Sequence, residues 1–474
     1  MSRKAAARRR TDNRAHATDK RAIFIALAFL AVLCFFGGSS RGDSLAQIPA
    51  RLAAICCGIA LLWLPVGHHN LSVFRKPLIF LSTVVALFAL QLVPLPPALW
   101  SSVNGRAFYN AAQQFAGQPM PWRPVNITPD LGINALLSLL PVGAALVVTR
   151  SLTSQGHLCL LRALVLLGLA GAMLGFFQLA QGADSPLRFF QIASLNSPVG
   201  FFANRNHHAL WLGCTIAMIW AWVLIEIPNR PRARATAMLA MTASLVLIFA
   251  IVTTGSRAGI ILLLLIGAGV YLMIRKSGLT VITTSGRARA GTISAIVFVL
   301  LAILTVVSLS PQAQSLRRLY AEDLAADARA KTLSTVLRMV PDYAPFGSGF
   351  GSFERIYRHV EPAANLNFTY FNHAHNDLLE LLIEGGIPAA ILLGIFLWWW
   401  LRTTWKIWAD KSSCGTMVVL GRTSSIVSLA VMVASLPDYP IRAPFIAVVF
   451  TISVGWMLIA RAGFNSDRRI ISSG

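Results

Sequence analysis

Acidic residues are scarce in this chain. Asp and Glu number 18 against 41 Lys and Arg in 474 positions, and only 12% of the residues are charged. A soluble domain of this size carries about a quarter, so a single water-solvated globule is excluded. Cysteine is sparse as well. The six, at positions 34, 56, 57, 159, 214 and 414, fall mostly in apolar runs, with no zinc-type spacing and no secreted disulfide framework. They read as structural thiols. A nucleotide loop is missing too. GSGFGSF at 347–353 has neither the GxGxxG nor the GxxxxGK[ST] spacing and follows no strand, which makes it a glycine turn. RGD at 41–43 reads as a short loop. Heptads, low-complexity tracts and a convincing internal repeat are also lacking.

Apolar sequence is what the chain has in quantity. Hydrophobic residues make up 56%, with a mean hydropathy of +0.65. A helix needs about 20 mostly apolar residues to span a bilayer. Twelve stretches qualify, near 22–38, 47–66, 77–93, 132–149, 158–180, 206–227, 236–253, 258–274, 291–310, 378–400, 420–437 and 443–460. The expected fold is an all-α polytopic membrane protein. Lys and Arg set its orientation. With the N-terminus inside, the inside segments collect most of the basic residues. Of the acids they hold only Asp12, Asp19, Glu226, Asp410 and Asp467. Both termini are then cytoplasmic.

This distribution accounts for the net charge of +23 without a nucleic acid partner. A basic arm, residues 1–21, lies against anionic lipid and is expected to be disordered. The first span reads as a retained helix rather than a signal peptide. The expected units are the arm 1–21, spans one to nine over 22–310, a loop domain over 311–376, spans ten to twelve over 377–460, and a cytoplasmic tail 461–474. Two outside loops are long, 94–131 and 311–376, and long loops in compact domains are usually functional or disordered. In the second, Leu333, Val336, Leu337 and Val340 recur at helical spacing and predict an amphipathic helix.

Cations on the outside face are nearly all arginine, whose planar fork matches phosphate and stays charged when partly desolvated. Arg257 in TTGSRAGIILLLL and Arg205 in GFFANRNHHALWL sit where spans begin. Either each faces a polar cavity or partner, or each snorkels to headgroups. The densest polar stretch is FNHAHNDLLELLIEGG at 371–386. Asp377 and Glu380 fit a capping-box-like start of the tenth span. Asp377, Glu380 and Glu384 also share one helix face. Such a stripe repels phosphate, so in a functional site it orients His or Arg instead. His375 is placed to take a proton from a hydroxyl, or is a hydrogen-bonded loop histidine. A metal on His373 and His375 lacks matching carboxylate or cysteine spacing.

Four segments in order resemble the O-antigen ligase and polymerase superfamily of bacterial inner-membrane proteins. They are GFFANRNHHALWL, TTGSRAGIILLLL, DARAKTLSTVLRMVPDYAPFGSGFGSF and HAHNDLLELLIEGGIP. Two departures bear on subtype. Ala389 stands where the ligase pattern has a second glycine, and Leu333 where a tryptophan often follows the loop arginine. The resemblance implies a GT-C-like helical fold with one large periplasmic loop before the tenth helix. It implies glycosyl transfer at the periplasmic face, from a glycan on undecaprenyl diphosphate to an acceptor hydroxyl. The acceptor is a growing glycan or lipid A core, with a slight tilt toward polymerisation. On this reading His375 is the catalytic base and Arg205, Arg257 and Arg329 hold the diphosphate. Asn206, Asn376, Asp377 and Glu384 support them. Configuration inverts, with no metal and no other cofactor. A multi-span transporter or flippase of lipid-linked saccharide is the alternative from another class. Crowding of polar residues at span ends instead of the midplane stands against it.

Overall fold

The computed structural model describes residues 3–64, 71–195, 197–226, 233–278, 328–363, 366, 371–410 and 415–472, without the side chains of 3–17, 71, 233–234, 328–331 and 464–472. Helices occupy the apolar stretches: α1 (Arg3–Phe36), α2 (Gln47–Trp63), α3 (Leu71–Leu90), α4 (Pro97–Ser102), α5 (Ala107–Phe115), α6 (Pro129–Leu137), α7 (Leu140–Ser151), α8 (Ser154–Gln181), α9 (Arg205–Glu226), α10 (Ala233–Thr253) and α11 (Arg257–Lys276). After the expected ninth span, which lies outside the described residues, come α12 (Ala328–Tyr343), α13 (Phe353–Val360), α14 (Asp377–Ala409), α15 (Thr416–Ala434) and α16 (Pro444–Ser472). Pro94–Leu95 and Arg123–Pro124 pair as a two-residue antiparallel ladder. Among the described residues, nine helices are long and apolar enough to cross a membrane. The chain is an all-α multi-pass membrane protein.

Several borders differ from expectation for local reasons. Residues 3–21 continue the first helix instead of forming a disordered arm; alanine, arginine and lysine are strong helix formers. Residues 461–472 likewise prolong α16. The fourth span breaks between α6 and α7, where Pro141 begins the second piece. Helix α12 forms as predicted, but its inward face is Thr332, Thr335, Val336, Met339 and Tyr343. Leu333 and Leu337 stay exposed.

Helix α9 is the hub. It packs on α8, α10, α11 and α15, and 89% of its apolar window is buried. Gly259 of α11 lets this packing be close, because a Cβ there would sit 2.7 Å from the Ala209 Cβ of α9. The starts of α9 and α11 are thereby held together. A second, smaller core joins α12, α13 and α14 through Val336, Met339, Phe353, Ile356, Tyr357 and Ile383.

The connections expected outside meet at one end of the bundle. The Ala203 amide donates to Gly38 O, and the Phe445 amide to Gly37 O. Asn126 Nδ2 donates to Phe350 O at 2.9 Å. Arg51 reaches Asn134 O at 3.1 Å. The opposite end has its own ties, such as Thr153 to Asp19 and Arg162 to Glu226.

A kink in α14 shapes the first end. Pro388 has no amide hydrogen, so the carbonyl of Glu384, four residues back, loses its helical donor. Gly386 takes φ 58 at this point. The glycine turn supplies replacements. The Gly349 amide donates to Glu384 O and the Ser348 amide to Ile383 O, both at 2.9 Å. Gln91 Nε2 adds a donor to Glu384 O at 3.0 Å. GSGFGSF thus satisfies the backbone of a broken helix, with Gly347, Gly349 and Gly351 all at positive φ.

Candidate functional site

Beside this kink, the polar residues of 371–384 meet two linkers. Asn376 caps α14, its side-chain oxygen accepting from the Leu379 amide at 3.0 Å. The cap is therefore Asn376, not a box built on Asp377 and Glu380. The freed carboxylates turn to Arg442, in the short helix Pro440–Arg442 between α15 and α16. Arg442 Nη2 lies 2.9 Å from Glu380 and 3.4 Å from Glu384. Its Nε lies 3.5 Å from Asp377. The shared face of the three acids is real, and its cation is one arginine. Burial alone would lower the Arg442 pKa, but Glu380, Glu384 and Asp377 outweigh it and hold the pKa above its usual range.

Each acid then fixes something else. Glu380 is 2.8 Å from His373 Nδ1 and accepts the Ala374 amide at 2.8 Å. Glu384 accepts the Phe353 amide at 3.0 Å and so ties α13 to α14. The stripe orients cations and backbone around the site.

His375 stands apart from the stripe. Among the described residues it is the one non-glycine at positive φ, 51°, a conformation that costs an L-residue about 1–2 kcal/mol. Neighbouring rings hold it. The Tyr439 ring centroid is 4.9 Å away and that of Phe371 5.2 Å. Tyr439 also packs on His373 at 4.5 Å. His375 Nδ1 is 3.8 Å from Asp438 Oδ1, too far for a hydrogen bond and close enough for electrostatic orientation. The His375 side chain is 19% exposed and that of Asp438 3%.

Asp438 joins this histidine to the starts of α9 and α11. Asn206 Nδ2 donates to Asp438 Oδ2 at 2.7 Å, and Asn204 Nδ2 at 3.2 Å. The Ser256 hydroxyl donates to Asn206 Oδ1 at 2.7 Å. Asn204 also caps α9, accepting the Asn206 amide at 2.8 Å. Ser256 caps α11, accepting the Gly259 amide at 3.0 Å. Two helix N-termini, which favour anions, are thus hydrogen-bonded into the carboxylate next to His375.

Arg205 and Arg257 are the first residues of those two helices. Both are half-buried, and Arg205 Nη1 is 3.5 Å from Ser197 Oγ. Arg329 lies in the first turn of α12; its side chain is outside the described residues. Several of the other arginines expected outside serve structure. Arg41 pairs with Asp43, Arg358 with Glu354, Arg106 binds Val125 O and Arg188 binds Ser197 O.

Asp438, Tyr439 and the role of Arg442 were not evident from the sequence pattern. The signal available for them was SLPDYPIRAP, an acid and a base in one short linker expected outside.

No curated protein matches the chain. A family comparison does. The matched stretch takes in about a third of the chain, from α10 into α14, and contains Arg257, Arg329, His375, Asn376, Asp377 and Glu384. Residues 242–394 match the O-Antigen ligase family, which supports the O-antigen ligase and polymerase superfamily for this multi-pass membrane protein and a function of that type in surface polysaccharide assembly.

Proposed function

We propose that the protein transfers a glycan from undecaprenyl diphosphate to an acceptor hydroxyl at the periplasmic face of a bacterial inner membrane. The observation that carries this is the convergence on Asp438 of a strained histidine and two arginine-bearing helix starts. An acceptor hydroxyl gives its proton to the ring nitrogen of His375 that faces away from Asp438. Its oxygen attacks the anomeric carbon. The bond from that carbon to the diphosphate oxygen breaks, and the electron pair leaves with undecaprenyl diphosphate. Direct displacement inverts the configuration.

Asp438 favours the tautomer with hydrogen on Nδ1 and stabilises the imidazolium that forms. The gap of 3.8 Å closes as substrate seats, since catalytic hydrogen bonds are often long in the free enzyme. Arg257, Arg205 and Arg329, with the amides of two helix N-termini, stabilise charge on the leaving diphosphate. A diphosphate is already a good leaving group, so the step needs no metal or nucleotide. Asn206 links Asp438 to Ser256 at the start of α11, Asn376 caps α14, and Asp377 and Glu384 hold Arg442. A transporter would place its ionisable groups near mid-span; here His375 precedes α14, and Asp377 and Glu380 lie in its first turn.

Deleting the gene and sizing the lipid-linked glycan that accumulates tests the reading. Single repeat units indicate a polymerase, and long untransferred chains a ligase. Glycan held on the cytoplasmic leaflet would overturn transfer in favour of transport.

A further inference from the structure

The loop between α3 and α6 is pinned to the site end by one face. Asn104 Nδ2 donates to Ala344 O at 2.7 Å, and the Ile127 amide donates to Ser348 O at 2.9 Å. Trp100, 2% exposed, donates to Pro124 O at 2.8 Å beneath Arg106 and Arg123.

Helix α5 departs from this pattern. Every one of its residues is exposed or half-buried. Phe115 is 96% exposed and Phe108 60%, and Trp122 just beyond is 64% exposed. Phe108 and Phe115 are seven residues apart and share a helix face. Phe108 leans on His359 at 4.7 Å, which leaves its outer surface open. The sequence from 107 to 122 has no charged residue. The face formed by Phe108 and Phe115 is an exposed apolar surface on a helix without charge, of the kind that marks an interaction site.

Its neighbours say what covers it. The loop leaves one candidate span at Leu90 and enters another at Pro129. Leu90 and Ile133, at those two ends, are 66% and 52% exposed, as lipid-facing residues are. Both ends of the loop therefore lie at the level where the spans leave the apolar layer. We infer that α5, with Trp122, lies flat in the bilayer interface on the side of the candidate site, with Phe108 and Phe115 inserted among phospholipid acyl chains. Phenylalanine suits the apolar side of that boundary and tryptophan its polar edge. This inference rests on the multi-pass fold and not on glycan transfer.

The test is photocrosslinking of the full-length protein in phosphatidylethanolamine and phosphatidylglycerol vesicles. A benzophenone amino acid replaces Phe108, Phe115 or Trp122, one at a time. Ile395, exposed on α14, is the lipid-facing reference, and Arg355, exposed on α13, the aqueous one. Phe115 is open enough that its replacement leaves packing intact. Phospholipid adducts at 108 and 115 are expected in several-fold excess over Arg355 and at a level near Ile395. Yields at 115 no higher than at Arg355 would overturn the inference. So would replacement of the lipid adduct by a crosslink to added polysaccharide or to a second protein.

Discussion

His375 combines three features: a left-handed backbone, two flanking rings and a carboxylate just beyond hydrogen-bond distance. In the proposed mechanism Asp438 is a positioning residue, because it acts through the histidine and the asparagines. Asp438→Asn is expected to lower kcat about tenfold or more while KM stays near the wild-type value. Partial recovery in Asp438→Glu would separate a charge effect from a fault in folding. Wild-type kcat in the Asn variant would remove the carboxylate from the mechanism. Arg442 makes a different prediction. Glu380 and Glu384 are each 1% exposed, and Arg442→Met leaves them without their shared cation. Breaking a buried pair this way costs about 3–5 kcal/mol, which thermal unfolding in detergent would read as a lower midpoint. An unchanged midpoint would mean that the acids are stabilised by other groups. His375, Arg205 and Arg257 stood out in the sequence as candidates because each sits in a polar run at the edge of an apolar one. Asp438 was not. Its partners lie 63 and 232 residues away in the chain, and nothing in SLPDYPIRAP shows which helix starts it will meet.

The element that matters most is the broken helix α14. Its kink satisfies the carbonyl freed by Pro388 through Gly349 and Gln91, and so fixes the stripe of acids against the late loop. A Cβ on Gly386 would stand 2.2 Å from Pro345 O, at a φ that disfavours any side chain. Gly386→Ala is expected to destabilise by about 1–3 kcal/mol and to impair transfer together with stability. A variant as stable and active as wild type would show that the kink adapts freely. Long apolar helices were readable from hydropathy, because a bilayer demands their length. The kink was only half readable: Pro388 marks a break, but the donors that repair it come from distant segments. The amphipathic helix α12 was readable from its spacing, but its inward face was not. Here Thr332 and Thr335 turn inward while Leu333 and Leu337 stay outside.

At the scale of the whole molecule, segments far apart in sequence converge on one end of a helical bundle. Alternation of spans placed their connections on the same side, and the structure interlocks them there through hydrogen bonds. What hydropathy could not supply was the distance between His375 and the starts of α9 and α11, which depends on how α9, α11 and α14 pack. The direct test is glycan transfer by the purified protein in vesicles, with a glycan on undecaprenyl diphosphate as donor and a saccharide hydroxyl as acceptor. Wild type and His375→Ala are compared at equal insertion and equal thermal stability. If His375 is the general base, the variant loses about two to four orders of magnitude in rate while still binding donor. Transfer by His375→Ala at the wild-type rate would contradict the mechanism and leave His375 an ordinary loop histidine.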